Sequence, residues 1–306
     1  MKAVRIEKFG SPDVFKIENI DIGKPQSNEV LIKNLSIGIN YIDTYHRTGM
    51  YPIPLPSGIG LEACGVIEDV GPDVTLFKVG DRVSHASMPI GAYSEKHIMP
   101  ENKLIPVPDE VSDEVASCVT LKGITAEYLL HRAYSLKKGD KILYHAAAGA
   151  LGQILCPWAN YIGAEIIGTV GSQEKEEIAK KNGCHHVINY TNKNFVEEVE
   201  KIVGKNGIDV VYDGVGLKTF EGSIEVLKIR GMMVAFGNAS GYVNTIDVKK
   251  HINAKGLFFT RPSIAHYTIE RDELLASAKK VFDAVLSGKF KIEISKKYTL
   301  NEVKQA

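Results

Sequence analysis

Along the first third of the chain, apolar positions come in short alternating runs. Met1 to Ile6 alternates, and Val30 to Asn34 is a second run. Gly65-Val66-Ile67-Glu68-Asp69-Val70 is a third, closed by the turn residues Gly71-Pro72-Asp73. Phe77 to Val83 reads as strand and turn around Gly80-Asp81. Many short strands punctuated by Gly and Pro predict a small barrel or irregular sheet.

The period changes after about Pro108. Asp113 to Cys118 and Thr125 to Tyr134 have helical spacing. From Asp140 onward, strands and helices alternate. Strands are expected at Lys141–His145, Glu165–Val170, His186–Asn189, Ile208–Asp213 and Gly231–Phe236, with a sixth at Gly256–Thr260. Helices are expected at Leu151–Tyr161, Glu174–Asn182, Asn194–Val203 and Phe220–Leu227. That βαβ rhythm predicts a parallel, doubly wound sheet. Beyond Arg261-Pro262, a helix is expected over Ile269–Leu286, closed by Gly288. A strand is expected over Lys291–Tyr298, and another helix starting at Leu300.

Composition adds exclusions. With 306 residues, the chain suits two domains and a large core that needs no staples. Lys plus Arg equals Asp plus Glu at 37 each, so bulk charge gives no support to nucleic-acid or membrane-surface binding. No apolar run approaches the roughly 20 residues that span a bilayer. Met1 to Lys8 lacks an apolar signal segment. Cys64, Cys118, Cys156 and Cys184 form no CxxC pair and read as reduced thiols of a cytoplasmic protein.

Candidate chemistry centres on the turn after the strand at Lys141–His145. Ala146-Ala147-Ala148-Gly149-Ala150-Leu151-Gly152 is an AxGxxG loop between a strand and a helix, the context in which a glycine pattern reads as a dinucleotide site. Gly149 lets the backbone approach a pyrophosphate, and Gly152 lets the helix pack on the strand. The helix N-terminus offers N–H donors and the positive end of its dipole. The second strand ends Gly168-Thr169-Val170-Gly171-Ser172, with no acid to bind a ribose 2′-hydroxyl. Ser172 and Lys175 follow instead. A hydroxyl and an ammonium suit a 2′-phosphate, which favours NADPH over NADH. Lys175 as a merely solvated helix residue is the alternative.

These residues carry a resemblance. The chain resembles the zinc-free quinone oxidoreductase (zeta-crystallin-like) branch of the medium-chain dehydrogenase/reductases over essentially its whole length. The markers include Gly38 to Asp43, Tyr45, Gly60-Leu61-Glu62, Lys122 to Ala126, Ala147 to Gly152, Val187 to Tyr190, Val211 to Gly216, Phe236 to Gly241 and Thr260 to Ser263. The resemblance implies an α/β protein: a GroES-like, β-rich catalytic domain over residues 1–123 and a Rossmann NADPH-binding domain over 124–262. Residues 263–306 would return to the catalytic domain. It further implies that Asn40, Tyr45 and Thr125 line the nicotinamide end. Lys175 and Tyr190 would hold the 2′-phosphate and its surroundings, beside Gly171 and Ser172. Gly214, Phe236, Gly237 and Ser240 would follow the cofactor across the strand ends. A homodimer joined near Leu257–Thr260 is implied as well. Two departures stand out. Ala150 replaces the family's second adjacent glycine. Members also continue past the point matching Ala306, so the catalytic domain is expected to be shortened.

The zinc-dependent branch holds catalytic metal through two cysteines and a histidine, the ligands zinc prefers. The corresponding places here hold Asn40, Leu61 and Leu121. His185-His186 is no substitute, because neighbours on a strand face opposite ways. His46, His85, His97 and His131 are expected to be surface or hydrogen-bonded residues. Without a Lewis acid, the acceptor must take hydride easily, as quinones and activated enals do. Direct hydride transfer from NADPH to a quinone is therefore expected, with the protein positioning the reactants. An enal or enone reductase and a non-enzymatic NADPH-binding protein are the alternatives. Tyr45 and Tyr51 are candidate proton donors, with pocket-shaping as the other role and solvent as another donor. Asp43 is expected to be structural.

Overall fold

The computed structural model describes residues 1–306. Contacts divide the chain into two compact units. Unit 1 comprises Met1–Leu121, Thr268–Leu286 and Ile292–Ala306; unit 2 comprises Lys122–Tyr267 and Ser287–Lys291.

Unit 1 runs in order through β1 (Lys2–Ile6), β2 (Lys16–Asn19), β3 (Glu29–Gly38), α1 (Tyr41–Thr48), β4 (Ser57–Gly58), β5 (Glu62–Val70), β6 (Arg82–Ala86), β7 (Lys96–Pro100) and β8 (Ile105–Pro106). They form a three-stranded sheet, β2-β1-β4, and a five-stranded sheet, β7-β3-β5-β6-β8, both antiparallel. Alternate residues of the larger sheet bury one face around Val30, Ile32, Ile67, Val83, Met99 and Leu104. β3 extends past the expected Asn34 because Asn34 does not end the pairing. Its side-chain amide donates to the Ala92 and Ser94 carbonyls at 3.1 and 2.9 Å, and the ladder resumes after a bulge between Asn34 and Ser36.

A long helix, α2 (Asp113–Tyr128), follows. Two separate helices were expected on either side of Gly123. One glycine costs a helix about 1 kcal/mol, and here Val119, Thr120, Ile124 and Ala126 are all buried along its length. Packing outweighs the penalty. The last turn continues to Ala133 with wider spacing.

Unit 2 contains β9 (Lys141–His145), α3 (Gly152–Ile162), β10 (Glu165–Val170), α4 (Gln173–Lys181), β11 (His186–Asn189), α5 (Phe195–Val203), β12 (Ile208–Asp213), α6 (Phe220–Val226), β13 (Leu227–Ala235) and β14 (Phe258–Thr260). The six strands are parallel, in the order β11-β10-β9-β12-β13-β14. This is the doubly wound Rossmann arrangement that the alternating pattern predicts. The order reverses between β9 and β12, so the loops leaving those strands border the crevice where open α/β sheets take ligands. Leu143, Ile167, Val211, Leu227 and Met233 are among the buried side chains that make the core.

Most helices and strands lie within a residue or two of their expected ends. Three differ. β6 starts at Arg82, and Phe77 to Asp81 is turn and loop. β13 starts at Leu227 rather than Gly231. Lys291–Tyr298 is not a strand: no strand pairs with it, and Glu293 to Lys297 are exposed. Alternation alone does not make a strand without a ladder partner. Leu300–Glu302 forms a single 3-10 turn. No helix is long and apolar enough to cross a membrane.

Candidate functional site

Two groups of candidate residues are built separately, one in each unit. In unit 1, α1 begins where β3 ends. Asn40 precedes the helix in extended conformation, and Asp43 caps it by accepting from the Asn40 N–H at 2.9 Å. The same Asp43 oxygen accepts from the Tyr93 hydroxyl at 2.8 Å. Burial, and then that contact, hold the Tyr93 phenol well above the usual tyrosine range. Asp43 is thus a structural anchor. The Asn40 side chain points the other way: its amide donates to Glu62 Oε2 at 2.8 Å. Glu62 is fully buried, and its second oxygen accepts the Leu121 N–H at 2.7 Å. Only glycine fits at position 38, because a Cβ there would overlap the Ser117 carbonyl and stand 2.8 Å from the Glu62 carboxyl carbon.

On α1 and just after it, Tyr41, Tyr45 and Tyr51 form an aromatic row. Ring centroids are 5.3 Å apart for Tyr41–Tyr45 and 4.9 Å for Tyr45–Tyr51. The Tyr51 N–H donates to the Tyr45 carbonyl at 3.1 Å, which fixes the turn that brings the two phenols together. His46, His85 and His97 are buried rather than at the surface. Desolvation lowers the pKa of His46 and drives His85 to about 4 and His97 to about 3. His131 instead meets Trp158 edge-on at 5.3 Å.

In unit 2, the turn after β9 carries Ala146 at φ 62°, a left-handed conformation held by an alanine. Non-glycine residues in that region store strain, which collects at functional loops. Gly149 and Ala150 are exposed, Leu151 is half-buried and Gly152 is buried at the start of α3. The Gly149 N–H closes the turn onto Ala146 at 2.8 Å, and Gln153 returns to Gly149 at 3.0 Å. The N–H groups of Ala150, Leu151 and Gly152 have no acceptor within the protein, as the first turn of a helix dictates. They carry the positive end of the helix dipole.

After β10, Ser172 caps α4 by accepting the Lys175 N–H at 3.3 Å. The Lys175 side chain is exposed and pairs with no carboxylate. Tyr190 is 49% exposed and lies close over Gly171, where a Cβ would stand 2.7 Å from the phenol oxygen. The loops after β12 and β13 are knitted together. Ser240 Oγ donates to the Val215 carbonyl at 2.8 Å and accepts the Lys218 N–H at 3.0 Å. Phe236 covers Gly214, where a Cβ would stand 2.8 Å from the ring, and stacks toward Tyr144 at 6.2 Å. Gly237 passes so close to Gly214 that a Cβ would be 2.8 Å from its Cα. Thr125, also in unit 2, is buried and hydrogen-bonds Tyr128.

Comparison with known proteins places this geometry. Residues 26–109 match the alcohol dehydrogenase GroES-like domain, and residues 150–283 match the model described as zinc-binding dehydrogenase. The chain is 45% identical over 312 residues to 2-haloacrylate reductase of Burkholderia sp, spanning 99% of this chain and 93% of that protein. It is 42% identical over 310 residues to quinone oxidoreductase 1 of Escherichia coli strain K12, with coverage of 99% and 94%. The crystal structure of Escherichia coli quinone oxidoreductase complexed with NADPH superposes at a TM-score of 0.96 with 41% identity, covering 100% of this chain and 94% of that one. The chain belongs to the quinone oxidoreductase family of the medium-chain dehydrogenase/reductases.

The chain lacks a donor set for the zinc that the matched dehydrogenase domain is named for. Asn40, Leu61 and Leu121 stand where thiols and an imidazole would be needed, and the Asn40 amide is directed at Glu62. No three His, Cys, Asp or Glu side chains come together as a metal cluster. The residues do not fit zinc.

Sequence reasoning overlooked several residues. Glu62 enters the sequence reading only within the Gly60-Leu61-Glu62 marker, yet it tethers Asn40. An acid within the apolar run Leu61 to Ile67 was the available signal. His145 and Thr169 enter only as parts of strands and Asp213 only as part of a motif, and Ser223 is not singled out. A histidine closing a buried strand directly before a glycine loop was the one visible clue.

Proposed function

We propose that this protein is an NADPH-dependent quinone oxidoreductase that delivers hydride directly to its acceptor. The single observation that carries the reading is the likeness, at 41% identity and a TM-score of 0.96, to a quinone oxidoreductase complexed with NADPH. The residues present fit the cofactor. The free N–H groups at 150–152 and the exposed Gly149 suit a pyrophosphate, with Ala150 and Leu151 beside it. Gly171, Ser172, Lys175 and Tyr190 suit the adenosine 2′-phosphate and its surroundings. Gly214, Phe236, Gly237 and Ser240 line the path across the strand ends. Asn40, Tyr45 and Thr125 are assigned to the nicotinamide end by family resemblance.

Bound NADPH would supply the hydride, and a proton completes reduction of quinone to hydroquinone. On this reading Glu62 orients Asn40, and Tyr45 and Tyr51 offer the proton or shape the acceptor pocket. In this assignment, residues 1–123 and 263–306 form the catalytic domain and 124–262 the NADPH-binding domain. The proposed assembly is a cytoplasmic homodimer joined along β14. That strand is at the edge of the sheet, and its Phe258 is 58% exposed. A second reading, reduction of an activated alkene, is supported by the Burkholderia relative, a 2-haloacrylate reductase.

Parallel NADPH-oxidation assays with 1,4-benzoquinone, a 2-alkenal and a 2-haloacrylate separate the two. Benzoquinone is expected to give the highest kcat/KM. A higher value with either alkene would overturn the quinone assignment in favour of the second reading. Lys175→Ala is expected to weaken NADPH binding about tenfold, equivalent to about 1.4 kcal/mol, while NADH binding stays the same. Equal loss for both cofactors would remove Lys175 from 2′-phosphate recognition.

A further inference from the structure

Four elements of unit 2 each bury polar side chains that meet in one chain of hydrogen bonds. His145 ends β9, Thr169 lies near the end of β10, Asp213 ends β12 and Ser223 lies on α6. All four are essentially inaccessible to solvent. His145 Nδ1 is 2.9 Å from Thr169 Oγ1, and its Nε2 is 2.9 Å from Ser223 Oγ. Ser223 Oγ is 3.1 Å from Asp213 Oδ2, which also accepts the Thr219 hydroxyl at 2.7 Å. Asp213 Oδ1 accepts the Val215 and Gly216 N–H groups at 2.8 and 2.9 Å.

Donor and acceptor counting fixes the protons between Asp213 and His145. A carboxylate only accepts, so Ser223 gives its single hydrogen to Asp213. Ser223 must then accept from His145, which places the imidazole proton on Nε2. Burial favours the neutral imidazole, which leaves Nδ1 as an acceptor, and Thr169 donates to it. The imidazole is neutral in this arrangement. Burial pushes its pKa below the ordinary histidine value, with Asp213 acting more weakly in the opposite direction.

Burying so many polar groups is costly unless every one is paired, so the place where the chain sits matters. His145 is followed at once by left-handed Ala146 and the glycine loop. The Thr169 carbonyl accepts the Ala147 N–H at 3.0 Å, joining the glycine loop to the end of β10. Asp213 shapes the Gly214-Val215-Gly216 turn through Oδ1, and its carbonyl accepts the Phe236 N–H at 2.8 Å. Three loops that carry the proposed cofactor residues leave the sheet from the ends of this chain.

We propose that Thr169, His145, Ser223 and Asp213 are positioning residues that hold the glycine loop, the Gly171–Lys175 turn and the Gly214–Gly216 turn in one register, and so set NADPH affinity without touching the cofactor. This rests on the reading of unit 2 as the NADPH site. Thr169→Val keeps the shape and removes the donor to His145; Thr169→Ser keeps the donor; Ser223→Ala breaks the next link. NADPH titration by nicotinamide fluorescence is expected to show about a tenfold rise in Kd for Thr169→Val and for Ser223→Ala, the scale of one lost buried hydrogen bond. Thr169→Ser is expected to stay within about twofold of wild type, since it keeps that bond. In steady state, KM for NADPH rises more than kcat falls.

Nitrogen-15 shifts of the imidazole at neutral pH, in wild type, read the arrangement independently of any variant's folding. The Nε2–H tautomer is expected, and an Nδ1–H tautomer overturns the proposal. Wild type that binds NADPH while folded Thr169→Val and Ser223→Ala bind it equally well also overturns it. Wild type that does not bind NADPH overturns the functional reading instead.

Discussion

Glu62→Ala is expected to lower the stability of the protein by about 3 kcal/mol, because each buried donor left without a partner costs roughly 1–3 kcal/mol. The carboxylate is fully buried and accepts from both the Asn40 side chain and the Leu121 backbone. Removing it takes this acceptor from both donors and opens a cavity beside Gly38, a position that has no Cβ to fill it. Glu62→Gln keeps the shape and one acceptor but turns an N–H donor toward the other donor, so a smaller loss, about half, is expected on the same scale. Urea unfolding measures both. Catalysis should suffer beyond stability, since Asn40 loses the bond that orients its amide. A Glu62→Ala protein as stable as wild type would show that the tether contributes nothing.

Gly152→Ala is expected to damage stability and cofactor binding together, whereas Gly149→Ala should damage binding alone. A Cβ at Gly152 would overlap the Ala147 carbonyl oxygen and stand 2.7 Å from its carbon. These are backbone atoms, so no side chain can swing aside and the loop or the helix must move. Overpacking of this kind costs about 1–3 kcal/mol, and the displaced loop carries the N–H groups assigned to the pyrophosphate. NADPH Kd should rise at least about tenfold. At Gly149 the nearest atom to a Cβ is the Ala146 carbonyl oxygen at 3.1 Å, tight but adjustable, and the residue is exposed. Its methyl would instead meet the bound phosphate. Thermal unfolding of the apo proteins beside NADPH titrations separates the two effects. Equal behaviour of the two variants would contradict the division of roles between these glycines.

The parallel sheet was legible because each of its strands is a short apolar run set between helical periods. Local pattern is enough when an element is buried on both faces. The glycine loop was legible for the same reason, since it occupies the first turn of that rhythm. Lys291–Tyr298 misled because Ile292 and Ile294 alternate with charge, yet a strand exists only with a partner, and pairing is a property of the whole fold. Gly123 misled in the opposite sense: a local breaker was overruled by burial along α2.

The least legible part of the site was its polar wiring. Thr169 and Ser223 are ordinary residues in sequence, lying 24 and 78 positions from the histidine they contact. The Asp43–Tyr93 bond spans 50 positions and the Glu62–Asn40 bond 22. Crossovers of the parallel sheet bring the first pairs within reach, and antiparallel pairing in unit 1 the others. Residues that present backbone to a ligand announce themselves through glycine. Residues that hold that backbone in place do not.

The central claim is that this chain is an NADPH-dependent quinone reductase whose Rossmann unit selects the 2′-phosphate with Ser172 and Lys175 in place of an acid. Its most direct test is the initial rate of 1,4-benzoquinone reduction by wild-type protein at matched, limiting concentrations of NADPH and NADH. Turnover with NADPH at least about tenfold faster than with NADH is predicted, a difference of about 1.4 kcal/mol. Equal or faster turnover with NADH, or none with either, would contradict the account.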